Sequence, residues 1–286
     1  MIGTRLISAS LSPNAEKDDV LVALRLLFQP TRWITGSARH AVEKWFARYF
    51  DNSRALTFNS GRSALFAVLR AFDIGAGDEV LVQAFTCVAV PNSVLWTGAK
   101  PIYVDIDDTL NMDSSDAEKK ISKRTRAIVV QHTFGTPADM EKLLAAAKKH
   151  SLLVIEDCAH SLGATYNGRN VGTLGDASCF SFGRDKVVSS VFGGLAVVAK
   201  RHDRAWMRLK ELHNDMSYPT GFWVLQQIMH PVAFSFILPL YRLGVGKAIL
   251  FVLQKSGLLG FPVYPEEKDG RKPSTFPGKY PNGLAM

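Results

Sequence analysis

The stretch Thr125–His160, TRAIVVQHTFGTPADMEKLLAAAKKHSLLVIEDCAH, decides the fold class. An apolar run (TRAIVVQHTFG) passes into a helical stretch (PADMEKLLAAAKKH), and a second apolar run (LLVIED) follows. The same alternation extends outward from Arg54 to Val198. RALTF precedes SALFAVLRAF, DEVLVQAF precedes VAVPNSVLWTG, and KPIYVDID precedes SSDAEKKIS. Strands that alternate with helices predict βαβ units and a mostly parallel sheet, an α/β fold. The runs are rich in Val and Ile and barely alternate with polar residues, as in strands covered on both faces. In such sheets ligands gather at the carboxyl ends of the strands, and the noteworthy polar residues of this chain fall there.

The 286 residues suffice for one large domain and part of another. We expect an N-terminal segment over 1–35 and a large α/β domain over 36–205. An apolar helical insert and the start of a smaller C-terminal domain then fill 206–286. With 47% hydrophobic and 21% charged residues the composition is that of a globular protein. Cys87, Cys158 and Cys179 are scattered among apolar residues, which reads as reduced thiols in a cytosolic protein rather than a disulfide framework or a metal site. The opening residues carry no long apolar core after a basic end, so no secretory signal is expected. Net charge is +8, with basic residues concentrated late in the chain. No nucleic-acid-binding motif accompanies them, so no nucleic-acid partner is expected. Attraction to an anionic substrate or an anionic membrane surface explains the charge better.

From Phe222 to Pro265 the chain is strongly apolar, interrupted by Pro231, Pro239, Arg242 and Lys247. We expect no uninterrupted run of the roughly 18–20 apolar residues that a spanning helix needs. Core helices or a subunit interface are the first expectation, and peripheral membrane contact through 222–259 is the second. The closing KYPNGLAM reads as the opening of a helix cut short, so a truncated chain is expected.

Four pieces carry chemistry. In FNSGRSALFAVL a strand end runs through Ser60, Gly61, Arg62 and Ser63 into a helix. Glycine lets a bound group approach the backbone, and the helix start favours an anion; alone, this is also an ordinary serine-capped turn. In LLVIEDCAHSLGA, Glu156 and Asp157 end a buried strand, where an acid needs a partner such as a positively charged ring nitrogen. His160 follows three residues on; a helix-capping acid and a packed histidine are the plain alternative. In CFSFGRDKVVSSVFGG, Ser181 offers a hydroxyl and Lys186 follows a turn at Gly183, before Gly193 and Gly194 open another strand. The plain alternative is a hairpin with an exposed lysine. Finally, Gln83–Cys87 supplies one more strand end.

An anion cup, a carboxylate for a ring nitrogen and a lysine together form the parts list for pyridoxal 5'-phosphate, whose aldehyde is held by lysine as a Schiff base. The stretches NSGRSAL, IGAGDEVLVQAFTCVAVPNSV, GAKPIYVDID, RTRAIVVQHTFGTPADM and KKHSLLVIEDCAHSLGATYNGRNVGTLGDASCFSF, with the later lysine and glycine pair, resemble the DegT/DnrJ/EryC1/StrS sugar aminotransferases over about 36–198. The resemblance implies the PLP-dependent transferase fold type I, a three-layer α/β/α sandwich followed by a smaller C-terminal domain that is mostly absent here. It implies Lys186 as the Schiff-base lysine, Asp157 as the partner of the pyridinium nitrogen and His160 beside the ring. Gly61, Arg62 and Ser181 would hold the phosphate, and Ser60 and Cys87 would also lie at the cofactor. Three positions depart from the family. Arg62 stands where threonine is usual, offering its backbone N–H or its guanidinium instead. Cys87 stands where an aromatic stacks on the cofactor, with Phe85 or Phe134 as candidates to replace it. The Asn-Tyr-Arg-like segment that reaches a partner's site is not recognisable.

The implied activity is amino transfer from glutamate or glutamine to a keto sugar, usually nucleotide-linked, in polysaccharide or surface-glycan biosynthesis. The implied state is a homodimer in the cytoplasm or peripheral at the inner membrane. Alternatives are sugar dehydration on the same fold and a non-catalytic relative that docks to a membrane or partner. The family's dehydratases replace the lysine with histidine, and Lys186 is retained here. Neither a P-loop nor a dinucleotide glycine motif is present.

Overall fold

Adjacent residues of a strand point to opposite sides of a sheet, and here both sides are apolar. The computed structural model describes residues 16–35, 38–50, 53–260, 265–269 and 272–273. The closing KYPNGLAM and the first fifteen residues lie outside them. In chain order the elements are α1 (Lys17–Leu27), α2 (Arg32–Thr35), α3 (Ala38–Tyr49), β1 (Ser53–Phe58), α4 (Gly61–Ala71), β2 (Glu79–Gln83), α5 (Ala89–Thr97) and β3 (Lys100–Val104). Then come α6 (Ser114–Lys120), β4 (Thr125–Gln131), α7 (Met140–Lys149), β5 (Leu153–Asp157), the short strands β6 (Thr165–Tyr166) and β7 (Arg169–Asn170), β8 (Ala177–Ser181) and β9 (Gly194–Ala199). The helices α8 (Asp203–Asp215), α9 (Gly221–Leu240), α10 (Val245–Lys255) and α11 (Pro265–Lys268) follow.

Seven strands form one sheet in the order β1-β9-β8-β5-β4-β2-β3. Neighbours from β8 to β3 pair in parallel, and β9 runs antiparallel to both β8 and β1. Six strands therefore point the same way, and β1, β2, β4, β5 and β8 deliver their carboxyl ends to one edge. On one face Ile128, Val130, Val154 and Phe180 pack with Phe46, Leu143 and Ala147 of α3 and α7. On the other Ala127, Val129, Ile155 and Cys179 pack with Leu65, Val68, Val94 and Leu209 of α4, α5 and α8. Each fully buried Val, Leu, Ile or Phe among them contributes about 1.5–3 kcal/mol, which is why these strands read as unbroken apolar runs. The expected α/β sandwich with a mostly parallel sheet is what forms.

Gly194 opens β9 between Phe58 of β1 and Ser181 of β8. A Cβ there would stand 2.2 Å from the Ser60 carbonyl oxygen and 2.5 Å from the Gly61 nitrogen. Both obstacles are backbone and have nowhere to go.

The apolar segment corrects one expectation. The prolines do not interrupt it: α9 is one helix of 20 residues that contains Pro231 and Pro239, and it is long and apolar enough to cross a membrane by length and composition. A proline removes one helical hydrogen bond, but burial of Val224, Ile228, Phe234 and Ile237 sustains the helix around Pro231. The first half of α9 packs on Ala23 of α1, and the second half pairs with α10 around Ala233, Phe234 and Ile237. The turn between them is tight. Gly244 is left-handed at φ 78°, and a Cβ on Gly246 would meet the Ile237 carbonyl oxygen at 2.3 Å.

His230 of α9 is fully buried, and neither ring nitrogen has a hydrogen-bond partner among the described residues. Its ring stacks on Phe234 with centroids 4.2 Å apart. Burial, with a smaller contribution from the positive charge of Arg184, pushes its pKa down to about 2.

Two predictions follow from this packing. Gly194→Ala should lower stability by about 3 kcal/mol through overpacking against backbone, read from the urea midpoint. As pH falls below the ordinary histidine value of 6.5, the unfolded chain takes up a proton at His230 that the folded chain refuses until about pH 2. Stability should therefore fall with pH in that window, by up to about 1.4 kcal/mol per unit for this one proton. His230→Leu should make the slope shallower by that amount in urea titrations between neutral and mildly acidic pH.

Candidate active site

The two acids that end β5 have opposite fates, because neighbouring strand residues face opposite ways. Glu156 is fully buried. Its Oε1 accepts from the backbone N–H of Leu174 at 2.8 Å and of Gly175 at 2.7 Å. Its Oε2 accepts from Gly172 N–H at 2.7 Å and lies 3.1 Å from His132 Nε2. The Ala138 N–H donates to His132 Nδ1 at 3.1 Å, so the ring proton sits on Nε2 and points at Glu156. Glu156, His132 and Cys158 lie close enough together to suggest a metal site. Both carboxylate oxygens and both ring nitrogens are already engaged, and burial pushes the Cys158 thiol pKa up; the group is a structural clasp.

Asp157 faces the other way, into a cavity of about 360 Å³ at the carboxyl edge of the sheet. Its Oδ1 accepts from Ala159 N–H at 3.1 Å and from the Cys179 thiol at 3.8 Å. Ser60, Gly61, Arg62, Cys87, His160, Ser181 and Lys186 line the same cavity. The eight residues expected at the cofactor site thus converge on one space, although they are spread across more than a hundred positions.

Each arrives for a local reason. Ser60 is extended and caps α4, its hydroxyl accepting from Ser63 N–H at 3.2 Å. The start of α4 can press against the end of β8 only because position 61 is glycine. A Cβ there would lie 2.8 Å from the Ser181 Cβ. Arg62 lines the cavity, but its guanidinium is ion-paired with the buried carboxylate of Glu267 in α11. Of its two expected means of anion binding, the charged fork is turned onto Glu267. Neither Phe85 nor Phe134 lines the cavity beside Cys87, so neither takes the place of the missing aromatic. Phe134 instead stacks on the His160 ring, centroids 5.6 Å apart.

Lys186 stands in the segment 182–193 between β8 and β9. Hydrogen bonds from Phe182 N–H to Gly193 O at 2.9 Å and from Ser190 N–H to Phe182 O at 2.9 Å close this segment on itself. Val191, at φ 69°, takes a backbone conformation that costs a β-branched residue about 1–3 kcal/mol. The lysine is not the exposed tip of a hairpin. Its side chain is 15% exposed, and Nζ lies 2.9 Å from His160 Nε2 and 3.0 Å from Asp185 Oδ2. Burial and the positive charge of Lys186 hold the His160 pKa below its ordinary value, against the opposing pull of Asp157 and Asp185. A neutral ring at that position accepts an N–H from Lys186.

Several participants were not picked out in the sequence. Gln131 ends β4 beside Asp157 and lines the cavity; its place at a strand end was the available signal. Asp185 adjoins the lysine. Arg184 also lines the cavity, donates to Gly260 O at 3.1 Å, lies over the Phe192 ring at 5.3 Å, and has its pKa pushed down to about 10 by burial. Glu267 left no sequence signal.

This sheet, with its cavity at the carboxyl edge, is the PLP-dependent transferase fold type I. Residues 14–220 match the DegT/DnrJ/EryC1/StrS aminotransferase family, and the chain belongs to it. It is 41% identical over 206 residues to GDP-perosamine synthase of Caulobacter vibrioides, covering 71% of this chain and 54% of that one. It is 38% identical over 206 residues to a UDP-N-acetyl-3-dehydro-alpha-D-glucosamine 3-aminotransferase of Acidithiobacillus ferrooxidans, covering 71% and 55%. Among solved structures it resembles an aminotransferase from Psychrobacter cryohalolentis with a TM-score of 0.66 and 33% identity, covering 72% of this chain and 52% of that one. The chain spans about half the length of these relatives.

The clasp around Glu156 makes a direct prediction. Glu156→Gln turns an amide donor toward N–H groups that also donate, and should cost about 2–4 kcal/mol in urea unfolding.

Proposed function

We propose that this chain forms the cofactor-binding part of a pyridoxal-phosphate-dependent aminotransferase. It would move the amino group of glutamate or glutamine to a keto sugar carried on a nucleotide, for a polysaccharide or cell-surface glycan. The observation that carries this reading is the convergence of Lys186, Asp157 and the start of α4 on one cavity. The family and the relatives named above support the reaction type and the substrate class. A homodimer acting in the cytoplasm is part of the same reading.

The donor set fits the cofactor group by group. The α4 N-terminus, Ser60, Ser181 and the glycine at 61 form a close-approach cradle suited to a phosphate. Asp157, 5% exposed, suits a positively charged ring nitrogen. The Lys186 amine suits an aldehyde. When bound, pyridoxal phosphate supplies an electron-withdrawing ring that accepts the charge left as the donor's α proton departs.

The chain's own residues do the rest. Asp157 holds the ring nitrogen protonated, because separating the two charges in a buried site is costly. Lys186 Nζ takes and returns the α proton as general base and acid. His160 accepts an N–H from Lys186 and Asp185 accepts another, and the two together hold the amine in place. Phe134 stacks on the His160 ring and limits its swing. The retained lysine favours amino transfer over sugar dehydration.

The test is spectroscopic and covalent. Protein mixed with pyridoxal phosphate should turn yellow, and borohydride should then fix the cofactor to the peptide carrying Lys186. Lys186→Ala should abolish the adduct, and Asp157→Ala should weaken cofactor binding about 100-fold. Added glutamate should bleach the yellow species. Folded protein that forms no adduct, or forms it on another lysine, would overturn the assignment.

A further inference from the structure

Surface helices of soluble domains turn an apolar stripe inward and a polar face outward. Helix α10 does not. Its inner side, Ile249 and Leu253, packs against Phe234 and Ile237 of α9. Its outer side is apolar as well: Val245 is 50% exposed, Phe251 64% and Val252 60%. Leu243, Phe236 and Leu258, near the two ends of the hairpin, are also exposed.

The charges carried by this hairpin have one sign. Between Met216 and Pro265 there is no aspartate or glutamate, and the cations are Arg242, Lys247 and Lys255. Lys247 Nζ lies 5.5 Å from the Tyr241 ring centroid and Lys255 Nζ 5.9 Å from that of Phe251. Cations thus flank the apolar patch. An apolar face with a basic border complements an anionic bilayer, whose headgroups take the cations while its acyl boundary takes the side chains.

Geometry selects the mode. With 11 residues, α10 is about 16 Å long, half of what a bilayer core of about 30 Å requires. Helix α9 is long enough, but Gln227, His230 and six apolar residues of it are buried in the chain. It serves as the anchor that presents α10. A second copy of the chain is a poor occupant. Twofold pairing of this face would bring the three cations toward their own equivalents, with no carboxylate in the stretch to pair them.

We propose that the α9–α10 hairpin docks the protein on an anionic lipid surface. Helix α10 lies in the headgroup plane with Leu243, Phe251 and Val252 in the acyl boundary, and Arg242, Lys247 and Lys255 contact anionic headgroups. This does not depend on the amino-transfer reading.

The test is co-sedimentation of the full chain with vesicles of phosphatidylcholine alone and of phosphatidylcholine containing about one part in three phosphatidylglycerol. The expected result is binding to the anionic vesicles, little binding to the neutral ones, and release by salt. Lys247→Glu with Lys255→Glu should weaken binding about twentyfold or more, and Leu243→Ser with Phe251→Ser at least tenfold. These side chains are exposed, so urea midpoints should not move. Vesicles should slow amide exchange over 243–258. Equal binding to both vesicle types, no binding to either, or variants that bind like the parent would overturn the proposal. A concentration-dependent dimer abolished by Phe251→Ser, with vesicle binding unchanged, would assign the face to a second copy and overturn it too.

Discussion

The buried carboxylate of Glu156 is the constraint on which the site depends. A carboxyl group without solvent is tolerable only when its lone pairs are filled, and Glu156 fills them with three backbone N–H groups and His132. This has two structural effects. It ties the segment after the β6–β7 hairpin beneath the end of β5. It also fixes which way that strand end faces, so Asp157 must point to the opposite side. The acid that touches the cavity is oriented by one that never does.

The second constraint is closeness. Ser60, Gly61, Ser181 and Gly194 bring a helix start and two strand ends within a distance that no Cβ allows. The same missing atoms that let the backbones meet place this junction against the cavity. The lysine segment then closes over this junction, held by its own backbone bonds and by Arg184, which reaches Gly260 beyond α10. The lysine-bearing loop and the apolar hairpin are therefore mechanically joined through one buried guanidinium. Burial holds His230 neutral, and the positive charge of Arg184 adds a smaller push in the same direction.

Much of this was legible in the residues. Strands buried on both faces leave no alternation, and that pattern named the sheet. Strand ends followed by Ser-Gly or by paired acids named the cavity wall, because polar groups in such a fold have few other places to go. The apolar segment was harder. Its prolines read as breaks, yet α9 runs through Pro231, because buried neighbours outweigh one lost hydrogen bond. Substitutes for the stacking aromatic were also misjudged: Phe85 and Phe134 are near in sequence to the site but do not line the cavity.

The sequence by itself determined the α/β class with its mostly parallel sheet and the chemical inventory of the strand ends, since these follow from local periodicity and residue types; the family and its layer order came from the resemblance of the motifs. Tertiary structure alone decided that Glu156 is a clasp while Asp157 is presented, that Arg62 turns its charge to Glu267, and that Lys186 rests between His160 and Asp185. Those outcomes depend on which side a strand end faces and on contacts between residues up to 205 positions apart. No local pattern encodes such meetings, because the partners are chosen by packing.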